Sequence, residues 1–295
     1  MNATSTLTPT GTDWKTVRFE VLEKTEALPS LSIVVSEFLA LARREFFTAK
    51  DFEMVISRDQ ALVARLLKVA NSGLYGRSKS ITSIPEAVVL IGVDNLKKIV
   101  YAVSSEGLTK RRMENYDYHP DQGFWLHSMG VGHATRVMVE ASHRCPLHAE
   151  EGFVAGLLHD VGKLVIDEFL PGGQPRLISR EDEVEAVGLD HAELAEYILK
   201  LWNLPVSTSA SVRHHHDYKN GGEMSGGAAA LALAQAVCAT WDLGRTIPMD
   251  LSAEVPFERF SELAEFLALD PTKWDQIIWN IRQSLVGLDD IFESD

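Results

Sequence analysis

Several of the ten histidines fall where a soluble helix keeps its apolar side. His127 shares a helical stripe with Val131, Ala134 and Met138, at i+4, i+7 and i+11. His159 and Asp160 interrupt the apolar run VAGLLHDVGKLVI, and His191 heads a stripe of Leu194, Ala195, Ile198 and Trp202. His214, His215 and His216 are consecutive and are followed by Asp217. An unpartnered polar group on a core-facing stripe costs roughly 2–7 kcal/mol, and an isolated charge far more. A single histidine in such a place is usually a core residue bonded to a main-chain carbonyl. Four such positions and an adjacent carboxylate within one stretch point instead to a divalent cation, which neutralises the acid and takes up imidazole lone pairs. Imidazoles with one carboxylate suit Fe, Mn, Co, Ni or Zn better than Mg or Ca, which prefer oxygen shells.

The elements that must position these residues are helices. Composition is that of a globular chain, 45% hydrophobic and 24% charged. Twenty-eight Lys and Arg against 42 Asp and Glu give a net charge of −14, which argues against non-specific nucleic-acid binding. Cys145 and Cys238 read as buried thiols of a reducing compartment. With no signal-peptide pattern at the start and no apolar run of membrane-spanning length, a cytoplasmic protein away from membranes is expected.

Residues 1–27 read as a polar leader, 28–105 as an N-terminal helical unit, 106–121 as a polar connecting segment, 122–245 as a second helical unit and 246–295 as C-terminal amphipathic helices packing on it. In the first unit Asp51 is expected to open a short helix with Phe52, Val55 and Ile56. Ser57 or Asp59 would cap the next, whose stripe is Leu62, Leu66, Val69 and Ala70. Ser83 to Glu86 reads as a capping box with Pro85 in the first turn, and the helix it starts stops at Gly92. In the second unit, helices are expected over 124–141, 149–169, 189–202, around 209–218 and from 227 to 241. The tail adds two more, separated by the turn Asp270-Pro271-Thr272. No convincing strand pattern occurs, so the fold class is all-α: two packed helical units, the second a helical bundle.

The second unit resembles the HD superfamily of metal-dependent phosphohydrolases, on His127, the dyad His159-Asp160 within GLLHDVGKL, His191 and the pair His215-His216. The span from about 28 to 245 is similar to the HDOD family (HD-related output domain), which adds the Asn71-Ser72 pair and a helix ending in Ile91-Gly92. The resemblance implies that His127, His159, Asp160, His191, His215 and His216 are metal ligands, with Asp160 bridging. It also implies that Lys163 stands where phosphodiesterase relatives contact a substrate phosphate. Catalytic relatives place a last ligand, an Asp, where this chain has Gln235, a neutral and weaker donor. The position shared by His127, His159, Asp160 and Gln235 is thereby weakened, while that of Asp160, His191, His215 and His216 keeps all its ligands. The Gly-Tyr-Pro motif of the cyclic-di-GMP phosphodiesterase branch does not follow the dyad.

The resulting expectation is a bacterial-type regulatory HDOD module with little or no turnover, retaining a transition metal, Fe or Mn ahead of Zn, Ni and Co. Its partner would be a signalling protein or a small nucleotide-like ligand. The alternative is a metal-dependent phosphohydrolase acting on a nucleotide or cyclic dinucleotide, with Asp160 and Lys163 as its working groups and metal-activated water as nucleophile.

Overall fold

The computed structural model describes residues 14–26, 33–42, 44, 46–59, 62, 63, 66, 67, 70, 81–93, 96, 100, 112–120, 123–245, 247 and 249–285. The Asn71-Ser72 pair and Val69 lie outside them. Among the described residues the architecture is helical, with one isolated parallel bridge between Tyr116 and Arg176 and no strand.

The chain begins with α1 (Trp14–Glu26), α2 (Ile33–Ala42), α3 (Ala49–Ile56) and α4 (Ile84–Ile91). Helices α2, α3 and α4 pack in series through Phe38, Phe52, Ile56, Ala87, Val88 and Ile91. The cap of α3 is Thr48 rather than Asp51. Asp51 is its third residue and closes a capping box, accepting 2.7 Å bonds from the Thr48 amide and hydroxyl. Asp59 accepts the Leu62 amide at 3.1 Å, and Leu62, Leu66 and Ala70 are buried as the spacing requires. Ser83 caps α4 through the Glu86 amide, but Glu86 reaches back to the Thr82 amide, so the expected reciprocal box is open by one residue. Gly92 ends α4 at φ +78°, a conformation open to glycine without strain.

The leader reading of 1–27 is corrected by α1. Val17, Val21 and Thr25 recur every fourth residue; Val21 and Thr25 are buried, and Lys24 meets Glu168 at 2.6 Å. This three-residue stripe is too short to stand out from its polar neighbours. It docks on two later helices, α7 (Lys163–Ile166) and α8 (Arg180–Val187).

The rest of the bundle is centred on α5 (Gly123–Ala141) and α6 (Ala149–Leu158). A Cβ on Gly156 would stand 2.6 Å from the Val131 carbonyl oxygen and 2.7 Å from Gly132 Cα, so glycine lets the two backbones touch. Around them lie α9 (His191–Leu201), α10 (Val206–Arg213) and α11 (Ser225–Thr240). Helices α12 (Phe257–Phe266) and α13 (Trp274–Leu285) close the far side on α11 and α5. Phe260 and Leu267 are buried there, while Phe257 and Leu263 are half-buried against the core. Cys238 is buried, but Cys145 is only half so.

Two expected helices break where the histidines sit. The run expected over 149–169 leaves the α-helical ladder at His159 and resumes at Lys163, with tightened bonds from Val161 N to Leu158 O and from Lys163 N to Asp160 O. Likewise α10 stops at Arg213, so His214 to His216 occupy the turn beyond it. The connecting segment is also more than a seam. Asp167 accepts both the Glu114 and Asn115 amides at 2.9 Å, and Tyr116 and Tyr118 are buried.

Candidate metal centre

Ends of separate helices bring the ligand candidates together: the start of α5 (His127), the end of α6 and its turn (His159, Asp160), the first residue of α9 (His191) and the turn after α10 (His215, His216). Gly162 sets the approach of two of these ends, because a Cβ there would lie 2.3 Å from the His191 carbonyl oxygen. His159, Asp160, His127, His191 and His215 are all buried, and His216 stands at the exposed edge.

The outward nitrogens of three rings are tied. His159 Nδ1 donates to the Gly156 carbonyl at 2.7 Å, and His215 Nδ1 donates to the Val212 carbonyl at 2.6 Å. His191 Nδ1 donates to the Glu183 carboxylate, at 2.7 and 2.9 Å to its two oxygens. Carbonyls and carboxylates only accept, so each of these Nδ1 atoms carries a hydrogen and each neutral ring turns an Nε2 lone pair inward. His127 Nε2, His159 Nε2, His215 Nε2 and Asp160 Oδ1 are buried with no hydrogen-bond partner. Burial lowers the His127 imidazole to about 4 and the His216 imidazole to about 3, and holds His215 well below its ordinary value. Burial opposes ionisation of Asp160, yet the Lys163 ammonium against it outweighs burial and holds the carboxyl well below the usual range.

Two groupings result: His127 with His159 and Asp160, and His191 with His215 and His216. His159 and His127 Nε2 lie 3.3 and 3.5 Å from Asp160 Oδ2, and His191 Nε2 lies 3.3 Å from Oδ1. His216 Nε2 is 2.9 Å from His191 Nε2. Around an ion with bonds of about 2.1 Å, adjacent donor atoms stand about 3.0–3.4 Å apart, so these spacings and the inward lone pairs fit a transition metal. Gln235 is half-buried on α11, and no hydrogen bond joins it to the centre among the described residues. Lys163, which could equally have been a solvated surface cation, puts its Nζ 2.7 Å from Asp160 Oδ2 with a side chain only 13% exposed.

Three participants escape a reading of the sequence. Tyr118 donates to Asp160 Oδ2 at 2.8 Å, Glu183 orients His191, and Tyr116 donates to Glu183 at 2.9 Å. Both tyrosines lie in the polar stretch 106–121. Glu183 hides in the acidic run REDEVEAV, whose Ser179–Asp182 capping box was the one available sign of a helix.

Helix ends converging on histidines and one aspartate make a helical centre whose groupings could hold a metal ion. The HDOD domain model matches residues 28–218, and the chain belongs to the HDOD family. Among solved structures it is similar to an HDOD domain protein of unknown function from Geobacter sulfurreducens, with TM-score 0.65, 21% identity, and 94% of this chain and 98% of that one covered. It is also similar to a candidate phosphohydrolase from Shewanella amazonensis SB2B, with TM-score 0.61, 23% identity and coverage of 90% and 98%. A candidate signal-transduction protein from Marinobacter aquaeolei VT8 gives TM-score 0.67 at 17% identity, with coverage of 92% and 61%. These likenesses speak to the fold. An uncharacterised protein of Treponema pallidum (strain Nichols) is 27% identical over 206 residues, 67% of this chain, and the match spans 39% of that relative's length. No helix among the described residues is long and apolar enough to cross a membrane.

Proposed function

We propose that this chain is a regulatory HDOD module that holds a transition metal in its helical core and passes information through a partner protein or a small nucleotide-like ligand, with little or no turnover. One observation carries the metal: buried inward-facing Nε2 atoms whose rings are tied outward by Gly156, Val212 and Glu183. His191, His215 and His216 with Asp160 would hold it, and His127 and His159 with Asp160 form a second position that a further ion would need. Such a metal, where bound in a catalytic relative, activates water and polarises a phosphoryl oxygen. Here Gln235 replaces the carboxylate that would anchor a second ion, and Lys163 is engaged with Asp160 rather than held open toward a phosphate. Both features favour binding over hydrolysis.

The second reading, a phosphohydrolase, shares one supporting observation with a ligand-binding module. A cleft of about 520 Å³, lined by His216, Tyr218, Arg259 and Phe260 among others, opens beside the exposed edge of the centre and would admit a small molecule. Elemental analysis of the purified protein tests the metal: near-stoichiometric Fe, Mn, Co, Ni or Zn is expected, and none after loading would sink it. Assay of the loaded protein against a panel of nucleotides and cyclic dinucleotides tests turnover. Hydrolysis abolished by Asp160→Ala would replace the regulatory reading with the enzymatic one.

A further inference from the structure

We infer that Lys163 supplies the cation of the first position from within the chain, so that the centre takes one metal ion, on the side of His191, His215 and His216. The inference rests on the metal reading above and concerns how the two oxygens of Asp160 are used.

Asp160 Oδ2 accepts the Lys163 ammonium at 2.7 Å and the Tyr118 hydroxyl at 2.8 Å. Each carboxylate oxygen offers about two lone-pair directions, so both are taken. An ion between His127 and His159 would need one of them. It would also sit within about 5 Å of the ammonium, the sum of a 2.1 Å metal bond and the lysine contact through the same oxygen, as a like charge in a dry interior. Lys163 has little freedom to withdraw. It begins α7 three residues after Asp160, its amide bonds the Asp160 carbonyl at 2.9 Å, and its Nζ stands 5.5 and 5.8 Å from the ring centres of Tyr116 and Tyr118.

The other oxygen is in the opposite condition. Asp160 Oδ1 has no hydrogen-bond partner, whereas the unpartnered Nε2 atoms do not separate the sides, since His127 and His159 share that condition with His215. His191 brings the buried Glu183 carboxylate behind it, so a second negative charge favours a cation on this side. Among the described residues the first position has no second carboxylate behind its ligands, since Gln235 is neutral.

The experiment uses the full chain, stripped with chelator, loaded with Mn²⁺ or Co²⁺, desalted and measured for metal per chain, with helical circular dichroism confirming the fold of each variant. The inference expects one ion in the natural chain, one in His127→Ala, almost none in His215→Ala and two in Lys163→Met. Two ions in the natural chain, one ion in a folded Lys163→Met, or loss of the ion in a folded His127→Ala would overturn it. If Lys163→Met does not fold, the contrast between His127→Ala and His215→Ala decides. No ion in the natural chain at saturating metal would instead bring down the metal reading itself, a result distinct from one ion that ignores Lys163.

Discussion

Before residue 112, Thr25 is the one buried polar side chain among the described residues; the interior there is built from Val21, Phe38, Phe52, Ile56, Leu62, Leu66, Ala87 and their neighbours. After it, Asn115, His127, His133, Glu151, His159, Asp160, Asp167, Glu183, Asp190, His191 and His215 are buried beside an equally apolar framework. Both regions are helical and close-packed, so secondary structure does not account for the difference. Apolar burial stabilises in proportion to the area removed from water. Buried imidazoles and carboxylates bring a desolvation penalty that their pairing only partly offsets. The first region is thus organised for stability, and the second gives up stability to hold a site.

The largest expected effects fall on the two interiors alike, and metal content separates them. Phe52 is fully buried against Phe38 and Phe47, at ring separations of 5.2 and 5.3 Å. Phe52→Ala should cost about 3–5 kcal/mol in urea unfolding and leave metal per folded chain unchanged. Asp160→Ala should cost a similar amount, about 3–5 kcal/mol, because it leaves the Lys163 ammonium without its counter-ion, and it should abolish metal binding. The double change Asp160→Leu with Lys163→Met removes both charges at similar volume and should restore most of that stability with the metal still absent. A double variant as unstable as Asp160→Ala would break the comparison, since the polar pair would then be a source of stability.

What could be read in advance follows the same division. His127, His159, Asp160 and His191 stood out as polar residues on apolar stripes, His215 and His216 as members of a consecutive run, and the helices of the first region were legible because stripe and cap agree. Thr48 and α1 were missed for local reasons: Asp51 is as good a cap by type as Thr48, and a stripe of Val17, Val21 and Thr25 is weak. The breaks at His159 and after Arg213 were missed because both runs stay apolar and helix-compatible; contact between Gly162 and the His191 backbone, a tertiary matter, accompanies the first. Tyr118 and Glu183 were illegible because their burial depends on partners 42 and 8 residues away, Asp160 and His191. An acid in an acidic run looks solvated until its helix is seen packed.

Glu183 gives an intermediate effect. Glu183→Gln keeps the shape but removes the charge that holds His191 in its ligating tautomer, so metal affinity should fall about 10–100-fold while unfolding shifts little by comparison. Isothermal titration with Mn²⁺ measures it, and an unchanged affinity would mean that His191 is not a ligand.

The smallest effect makes the sharpest contrast, because the same device occurs in both regions. Thr48 and Asp51 close a capping box on α3, and Ser179 and Asp182 close one on α8. Removing either hydroxyl, as Thr48→Ala or Ser179→Ala, should cost about 1 kcal/mol. Helix α3 carries Phe52, which serves only packing, whereas α8 carries Glu183 on the His191 ring. Equal losses of stability should therefore part company in the metal titration: affinity unmoved by Thr48→Ala and measurably weakened by Ser179→Ala, since loosening α8 loosens the carboxylate that orients the ligand. If both variants leave affinity alone, the position of Glu183 is set by Tyr116 and His191 rather than by its helix, and the second region is more rigid than its polar interior implies.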